Sequence, residues 1–334
     1  MNVAGQRLGV RRLSVVDTHT VGEPTRVVTG FPLVRGGSLT EIKNDMQENH
    51  DWFRRFILHE PRGHSDMFGA VLFPSEDGKS DLGVIFMDNG GYLDMCGHGT
   101  IGVVTCAIQT GLIKAKPEIL LDTTAGIVTA RPKYVGRRVQ SVSFVGVPSF
   151  KLKTTEIEVM GRSVPVDITF GGNFFAHVFC SDFGFSIEPR NKSKIIELGV
   201  KVRDTVNEKG GITHSYMSHI NKVELVEFSG PSKSKIAHAQ NVVVFGRGQL
   251  DRSPCGTGTC AKMAILHSEG KLKVGDSFIH EGILATMFTG RIISETKVGD
   301  YDAIVPEITG SAFITGYNEL VADEEDPLSE GFLI

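Results

Sequence analysis

The sequence predicts an α/β (α+β) protein, rich in sheet and built from two similar halves. Three observations predict it. Short β-branched and aromatic runs recur along the whole chain. A unit of strand, glycine-rich loop, cysteine, helix and strand is written twice, with an offset of 159 residues between Cys96 and Cys255. The length, 334 residues, also exceeds the roughly 100–200 residues of one ordinary domain and suffices for two cores.

The strand-like runs lie at 13–16, 67–73, 82–87, 118–121, 127–131, 164–170, 223–228, 241–245, 278–280 and 290–293. Helices are fewer. Ser38 followed by Glu41 is a capping-box signature, and the helix it opens is expected to run to about residue 58, before Pro61 and Gly63. A second helix over 192–209 carries Ile195, Gly199, Val202 and Val206 at the spacing of one buried face. These two helices occupy comparable places in the two halves. The last dozen residues, with Asp323, Glu324, Glu325 and Asp326 before Pro327, read as a solvated acidic segment.

The duplication is the strongest internal signal. Cys96-Gly97-His98-Gly99-Thr100 matches Cys255-Gly256-Thr257-Gly258-Thr259 at four positions of five. Gly111 and Gly270 each stand 15 residues after their cysteine, where a four-turn helix would end on glycine. Ten residues before each cysteine a phenylalanine, Phe86 or Phe245, is expected to close a strand, and another strand should follow at Ile119 and Phe278. The expected domains are 1–150 plus about 318–334, carrying Cys96, and 151–317, carrying Cys255.

Composition removes several classes of function. There are 35 Lys and Arg against 39 Asp and Glu, a net charge of -4, so the positive field that nucleic acid or an anionic membrane surface demands is missing. No apolar run approaches the ~18–20 residues of a membrane-spanning helix. Residues 1–12 carry Arg7, Arg11 and Arg12 without a long apolar stretch and do not read as a secretory signal. The cytoplasm is the expected compartment. Five cysteines, an odd number, do not make a disulfide framework. The 39 glycines, well above the usual ~7%, imply many turns and close backbone approaches.

A cysteine at a helix start sits among open backbone N–H groups and the positive end of the macrodipole, which favour an anion and should lower its thiol pKa below the free value of ~8.5. Two such starts pointing at one cleft would hold a small carboxylate by backbone donors, with a sulfur on each side of the α-carbon. That arrangement suits inversion at the α-carbon without a cofactor. One thiolate removes a proton from one face, and the opposite thiol delivers another to the other face. Other readings compete. Cys106, Cys180 and Cys260 suit core packing. A zinc set of His98, Cys96, Cys255 and Cys260 lacks the usual spacing, and Gly256-Thr257-Gly258 lacks the Lys-Ser/Thr ending of a phosphate loop. A non-catalytic metal-binding or redox module is the alternative from a different class.

These residues resemble the proline racemase family. The resemblance rests on Met95-Cys96-Gly97-His98-Gly99-Thr100-Ile101-Gly102, Asp251-Arg252-Ser253-Pro254-Cys255-Gly256-Thr257-Gly258-Thr259, Glu60-Pro61-Arg62-Gly63-His64 and Phe170-Gly171-Gly172-Asn173-Phe174-Phe175, and runs from about Val16 to the C-terminus. It implies a diaminopimelate-epimerase-like fold of two pseudo-symmetric domains, each a curled, mostly antiparallel sheet around a central helix, with the site between them. It implies Cys96 and Cys255 as the acid/base pair, His98 and Asp251 on the substrate ring nitrogen, and Gly97, Gly256 and Thr257 offering N–H groups to the carboxylate. Asp251 also reads as an Asx-turn residue.

The family includes proline racemases, 4-hydroxyproline 2-epimerases and trans-3-hydroxyproline dehydratases. The dehydratases typically carry threonine at the second cysteine, which is retained here. Phe68 and Phe245 match the two phenylalanines that pack the proline ring, although both also suit a strand core. Leu225 stands where the epimerases tend to have histidine and the racemases cysteine, and it cannot hydrogen-bond a hydroxyl. Proline is the expected substrate. Neither cofactor nor metal is expected, the only partner is the small-molecule substrate, and a homodimer is the assembly to be tested.

Overall fold

A computed structural model of the chain describes residues 10–29, 37–75, 78–218 and 220–334. Residues 1–9, part of the segment read as carrying no secretory signal, lie outside the described residues. Two compact units divide the chain: Met1–Phe144 with Ser311–Ile334, and Val145–Gly310. The sequence placed these divisions at 150 and 317.

In the first unit β1 (Val10–Thr20) runs antiparallel to β2 (Glu23–Val28) and to the last strand of the chain, β18 (Ala312–Asp323). β3 (Phe68–Phe73) joins β2 in parallel, and β4 (Leu82–Asp88) returns antiparallel to β3 and carries the short β5 (Tyr92–Leu93). β6 (Ile119–Thr123) joins β4 in parallel, and β7 (Gly126–Val135) and β8 (Arg138–Val145) continue antiparallel. The spatial order is therefore β18-β1-β2-β3-β4-β6-β7-β8.

The second unit repeats this order with β9 (Ser149–Val159), β10 (Arg162–Phe170), β11 (Phe174–Phe179), β12 (Val223–Gly230), β13 (Ala239–Phe245), the short β14 (Gln249–Asp251), β15 (Ser277–Glu281), β16 (Met287–Val298) and β17 (Tyr301–Gly310). Parallel pairs again fall at two places, β11–β12 and β13–β15. β17 pairs back onto β9 and closes the ring.

Parallel neighbours cannot be joined by a hairpin; they need a crossover, usually helical. All four crossovers here carry helix. The β2–β3 crossover holds α1 (Leu39–Asn49) and α2 (Asp51–Leu58), and the β4–β6 crossover holds α3 (Gly97–Gln109). In the second unit α4 (Lys192–Lys209) and α5 (Gly256–Ser268) do the same work. The capping box at Ser38 is present: Glu41 N–H donates to Ser38 Oγ, and Glu41 Oε2 accepts from Ser38 N–H at 2.7 Å. The single helix expected to residue 58 is two, because His50 leaves the helical region at φ -133°. The second then starts on Asp51, whose carboxylate accepts from Arg54 at 2.7 Å and Arg55 at 2.8 Å.

α3 and α5 are buried on nearly every side through their first three turns, as apolar helices with little amphipathic character must be. α3 lies against β1, β2, β3, β7 and β18, and α5 against β9, β10, β11, β16 and β17. Both end as the spacing predicts, with Gly111 at φ +76° and Gly270 at φ +70°. Gly171 shows how tight the enclosure is: a Cβ there would lie 2.3 Å from the carbonyl oxygen of Thr257. The phenylalanine frame needs correcting. Phe245 ends β13, but β4 runs on past Phe86 to Asp88. By ladder register Ala70–Phe86 corresponds to Glu227–Val243, because the connection from β13 to its cysteine is two residues longer.

α4 packs on β13 through Gly199, where an added Cβ would lie 2.7–2.9 Å from all three side-chain carbons of Val244. Alanine gains about 1 kcal/mol of helix propensity over glycine, whereas overpacking against a stiff β-branched side chain costs typically 1–3 kcal/mol. Gly199→Ala is therefore expected to lower stability in urea denaturation, and a gain would show that α4 can withdraw from the sheet.

Candidate active site

Cys96 and Cys255 are the N-cap residues of α3 and α5, one position before the expected first helical residue. In each unit the cap acceptor is sulfur. Cys96 Sγ accepts from Gly99 N–H at 3.3 Å, and Cys255 Sγ from Gly258 N–H at 3.4 Å. The first α-helical bonds, Thr100 N–H to Cys96 O and Thr259 N–H to Cys255 O, satisfy the next donor. The N–H groups of Gly97, His98, Gly256 and Thr257 find no acceptor among the described residues. Buried donors of this kind cost free energy until an acceptor arrives, so each helix start presents donors that an anion could satisfy.

Around Cys96 the structure gathers Gly97, His98 and Phe68. His98 Nδ1 lies 3.3 Å from Cys96 Sγ, and the Phe68 ring meets the imidazole edge-on at 4.5 Å between centroids. Thr20 Oγ1 donates to His98 O at 2.8 Å and fixes the turn. Burial lowers the His98 pKa from 6.5 to about 3, so its imidazole is neutral near pH 7.

Around Cys255 it gathers Gly256, Thr257, Asp251 and Leu225. Thr257 Oγ1 is 3.6 Å from Cys255 Sγ. Asp251 ends β14, and its Oδ1 accepts from Ser253 N–H at 2.8 Å, so the turn contact weighed from the sequence is present. Cys255 N–H in turn donates to Ser253 Oγ at 3.1 Å. Leu225 is partly buried against Phe175, Val243, Cys255 and Ala261. Phe245 is buried opposite Gln249 at the end of β13 and is not a member of that cluster. The two corners differ in backbone: Cys96 is extended at φ -144°, whereas Cys255 has φ +57°, a left-handed conformation costing a non-glycine residue about 1–3 kcal/mol. Such strain persists where the surroundings over-determine the position.

The expectation of a lowered thiol pKa fails at Cys255. Burial, followed by the nearby Asp251 carboxylate, pushes this thiol well up, and the Gly258 N–H does not compensate. Burial likewise raises Cys106 to about 12 and raises Cys260 and Cys180; these three are buried, free thiols packed in the core. Missed from the sequence was a set of buried polar residues behind Cys255, led by Glu227 and Asn241. Glu224 and Glu227 stand three residues apart on β12 and so face opposite sides of the sheet; Glu224 is exposed and Glu227 is buried.

Taken together, the structure is a sheet-rich α+β protein whose two units each bury a cysteine-capped helix. The proline racemase family model matches residues 15–333. A proline racemase of Clostridioides difficile is 49% identical over 330 residues, covering 97% of this chain and 98% of the other. One from Acetoanaerobium sticklandii is 44% identical over 329 residues, covering 96% and 98%. The crystal structure of a hydroxyproline epimerase from Agrobacterium vitis with bound trans-4-hydroxy-L-proline superposes with a TM-score of 0.88 at 29% identity, covering 97% of this chain and 95% of that one. The chain belongs to the proline racemase family. Among the described residues no helix is long and apolar enough to cross a membrane.

Burial raises the Asp251 carboxyl from 3.8 to about 6, against the pull of Ser253. Between those values the folded state binds more protons than the unfolded one, so this group's contribution is fully present below pH 3.8 and lost as pH rises through 6. Asp251→Asn keeps the acceptor for Ser253 and removes the buried charge. Relative to wild type it is expected to be more stable at pH 8 than at pH 4 by roughly 1–3 kcal/mol. Paired urea titrations at the two pH values test this; equal offsets would mean the carboxyl is not buried as described.

Proposed function

We propose that this chain is a cofactor-independent proline racemase that interconverts L- and D-proline, with Cys96 and Cys255 as its two acid/base residues. The observation that carries this reading is the repeated helix start: in each unit a cap sulfur stands beside backbone N–H groups that find no acceptor among the described residues. In the proposed complex the N–H groups of Gly97, Gly256 and Thr257 hold the substrate carboxylate. One cysteine, as thiolate, takes the α-proton, and the C–H electron pair spreads onto the carboxylate. The other, as thiol, delivers its proton to the opposite face of the α-carbon. The protein is left with the proton on the first sulfur, which is the form ready for the opposite enantiomer. Carboxylate charge grows along this path, so preorganised N–H donors stabilise the carbanion-like state more than the ground state.

The ring nitrogen of bound proline is a secondary ammonium with protons to donate. Neutral His98 offers an acceptor nitrogen, and Asp251 a carboxylate. Phe68 and Phe245 pack the apolar ring, and Leu225 occupies the β12 position that corresponds by register to Phe68 in β3. An alkyl side chain there favours the unsubstituted ring. The 4-hydroxyproline 2-epimerase reading stays second, supported by the likeness to the Agrobacterium vitis enzyme. The same proposal takes the fold as diaminopimelate-epimerase-like, supported by the eight-strand order repeated around a buried helix, and the protein as a cytoplasmic homodimer that binds neither nucleic acid nor membrane.

The direct test is incubation with L-proline and with trans-4-hydroxy-L-proline, followed by chiral chromatography. D-Proline rising to parity with L-proline is expected; its absence would end the proposal. Cys96→Ser and Cys255→Ser should each reduce turnover by about 10²–10⁴-fold, the usual weight of a positioned acid or base, with unchanged circular dichroism. Substantial turnover by either variant would refute the two-base assignment. Leu225→His supplies a polar partner at the ring, and a site built to hydrogen-bond a hydroxyl can discriminate strongly. The ratio of kcat/KM for 4-hydroxyproline over proline should rise, and an unchanged ratio would remove Leu225 from the pocket.

A further inference from the structure

The two units share a fold but differ in what lies behind the cysteine. In the second, Glu227 of β12 is fully buried. Its Oε2 accepts from Asn241 Nδ2 at 3.2 Å, and the same Asn241 nitrogen donates to the carbonyl of Pro254 at 2.7 Å, directly before Cys255. Ser229 Oγ donates to Glu227 Oε1 at 3.4 Å, and His177 Nδ1 and His280 Nε2 lie 3.3 and 3.9 Å from that oxygen. Thr259 Oγ1 ties the helix start to the same group, donating to Cys255 O at 2.7 Å with His280 Nδ1 at 3.1 Å. Gly258 leaves room for the carboxylate: a Cβ there would lie 2.6 Å from Glu227 Oε2 and 3.3 Å from Cys255 Sγ.

Ladder register identifies the corresponding positions of the first unit. His177 corresponds to Val27, Glu227 to Ala70, Ser229 to Leu72, Asn241 to Val84 and His280 to Leu121. All five are buried and apolar. Volume is conserved while charge is not: Phe86 opposite Ala70 fills the space that Val243 and Glu227 fill in the second unit. A Cβ on Gly99 would accordingly meet the ring of Phe86 at 2.8 Å.

From this contrast we infer that Glu227 is a positioning residue which makes the two thiols inequivalent, holding the Pro254–Cys255 corner through Asn241 and placing a negative charge behind Cys255 where the corresponding positions of the first unit are apolar. The inference rests on the reading of Cys255 as one of the two bases. Its consequence is that Cys255 gives up its proton less readily than it would with a neutral side chain at position 227. Charged and titratable groups on every neighbouring element bear on this: Glu227 of β12, His177 of β11, Asp251 of β14 with Arg252 after it, His280 of β15 and Lys262 of α5. Burial opposes the Glu227 charge, but His177, His280 and Lys262 more than offset it and hold the carboxyl below its ordinary range. Glu227 in turn adds to the burial and to Asp251 in pushing the Cys255 thiol up.

The experiment alkylates the intact chain with iodoacetamide across pH 6–10 and follows Cys255 and Cys96 separately by peptide mass spectrometry. Labelling tracks the thiolate. Glu227→Gln keeps the shape and removes the charge, so Cys255 labelling should rise about tenfold at a fixed pH below its midpoint, a shift of about one pH unit, while Cys96 changes by less than about twofold. Lys262→Met removes a cation facing Glu227 and should slow Cys255 labelling, which keeps the test alive if the first variant fails to fold. An unmoved Cys255 profile in either folded variant, or equal shifts at both cysteines, would overturn the inference. Labelling needs no turnover, so its outcome is independent of whether wild type produces D-proline, the result on which the proposed function stands or falls.

Discussion

Enclosing the first turn of a helix inside a sheet creates a demand that the rest of this structure is arranged around. The first N–H groups of a helix have no intrahelical acceptor, and at α3 and α5 water is largely excluded. A serine or aspartate cap would answer the demand with a strong oxygen acceptor. Sulfur is a weak one, and it takes only the third N–H, from Gly99 or Gly258. The crossovers hold the helices in the sheets, and the glycines remove the side chains that would cover the donors. The threonines at the fourth position, Thr100 and Thr259, turn their hydroxyls back onto the cysteine carbonyls at 2.7 Å. What is left is a pair of helix starts short of an acceptor, and in the proposed reaction a carboxylate supplies it at the moment its charge is growing.

Much of this was legible in the sequence because it is local. The capping box at Ser38, the extent of α4, the glycines that end α3 and α5, and strands made of continuous apolar runs such as β4 and β13 follow from spacing and propensity alone. Strands that alternate with charged residues escaped, as in Lys151–Glu158 within β9 and Asn318–Asp323 within β18, where one face is exposed and the apolar content falls below a visible run. β17 was hidden by Pro306. The break at His50 escaped because nothing in the helical period marks it. The cysteines stood out through duplication, which also overreached: equal spacing put Phe86 on Phe245, and only the ladder register revealed the longer connection before Cys255.

The electrostatics of the site were not legible, and the reason is a competition of magnitudes. A helix N-terminus contributes typically 0.3–1 kcal/mol toward an anion, somewhat more when partly buried. Moving an ionised group out of water costs several kcal/mol after relaxation. Sequence shows the helix start; burial and the neighbouring carboxylates belong to tertiary structure. At Cys255 burial wins, with Asp251 and Glu227 adding to it. A thiol that holds its proton is what the acid half of a two-base reaction requires, so the raised pKa fits the proposed role as well as the lowered one would have fitted a base.

Two inequivalent thiols are compatible with racemisation. The equilibrium between L- and D-proline is fixed by their mirror symmetry, and no asymmetry in the protein can move it. Asymmetry acts elsewhere: it sets which protonation form of the free protein is more populated, and hence which enantiomer finds its partner form waiting. A shift of one pH unit in one thiol corresponds to about 1.4 kcal/mol, enough to fill one form tenfold over the other and small beside the barriers of proton abstraction from carbon. The exchange of Ala70 and Phe86 for Glu227 and Val243 keeps the packed volume, so the fold can carry this bias without opening a cavity. The two units keep the sulfur cap at the helix start, and charge behind it is free to diverge.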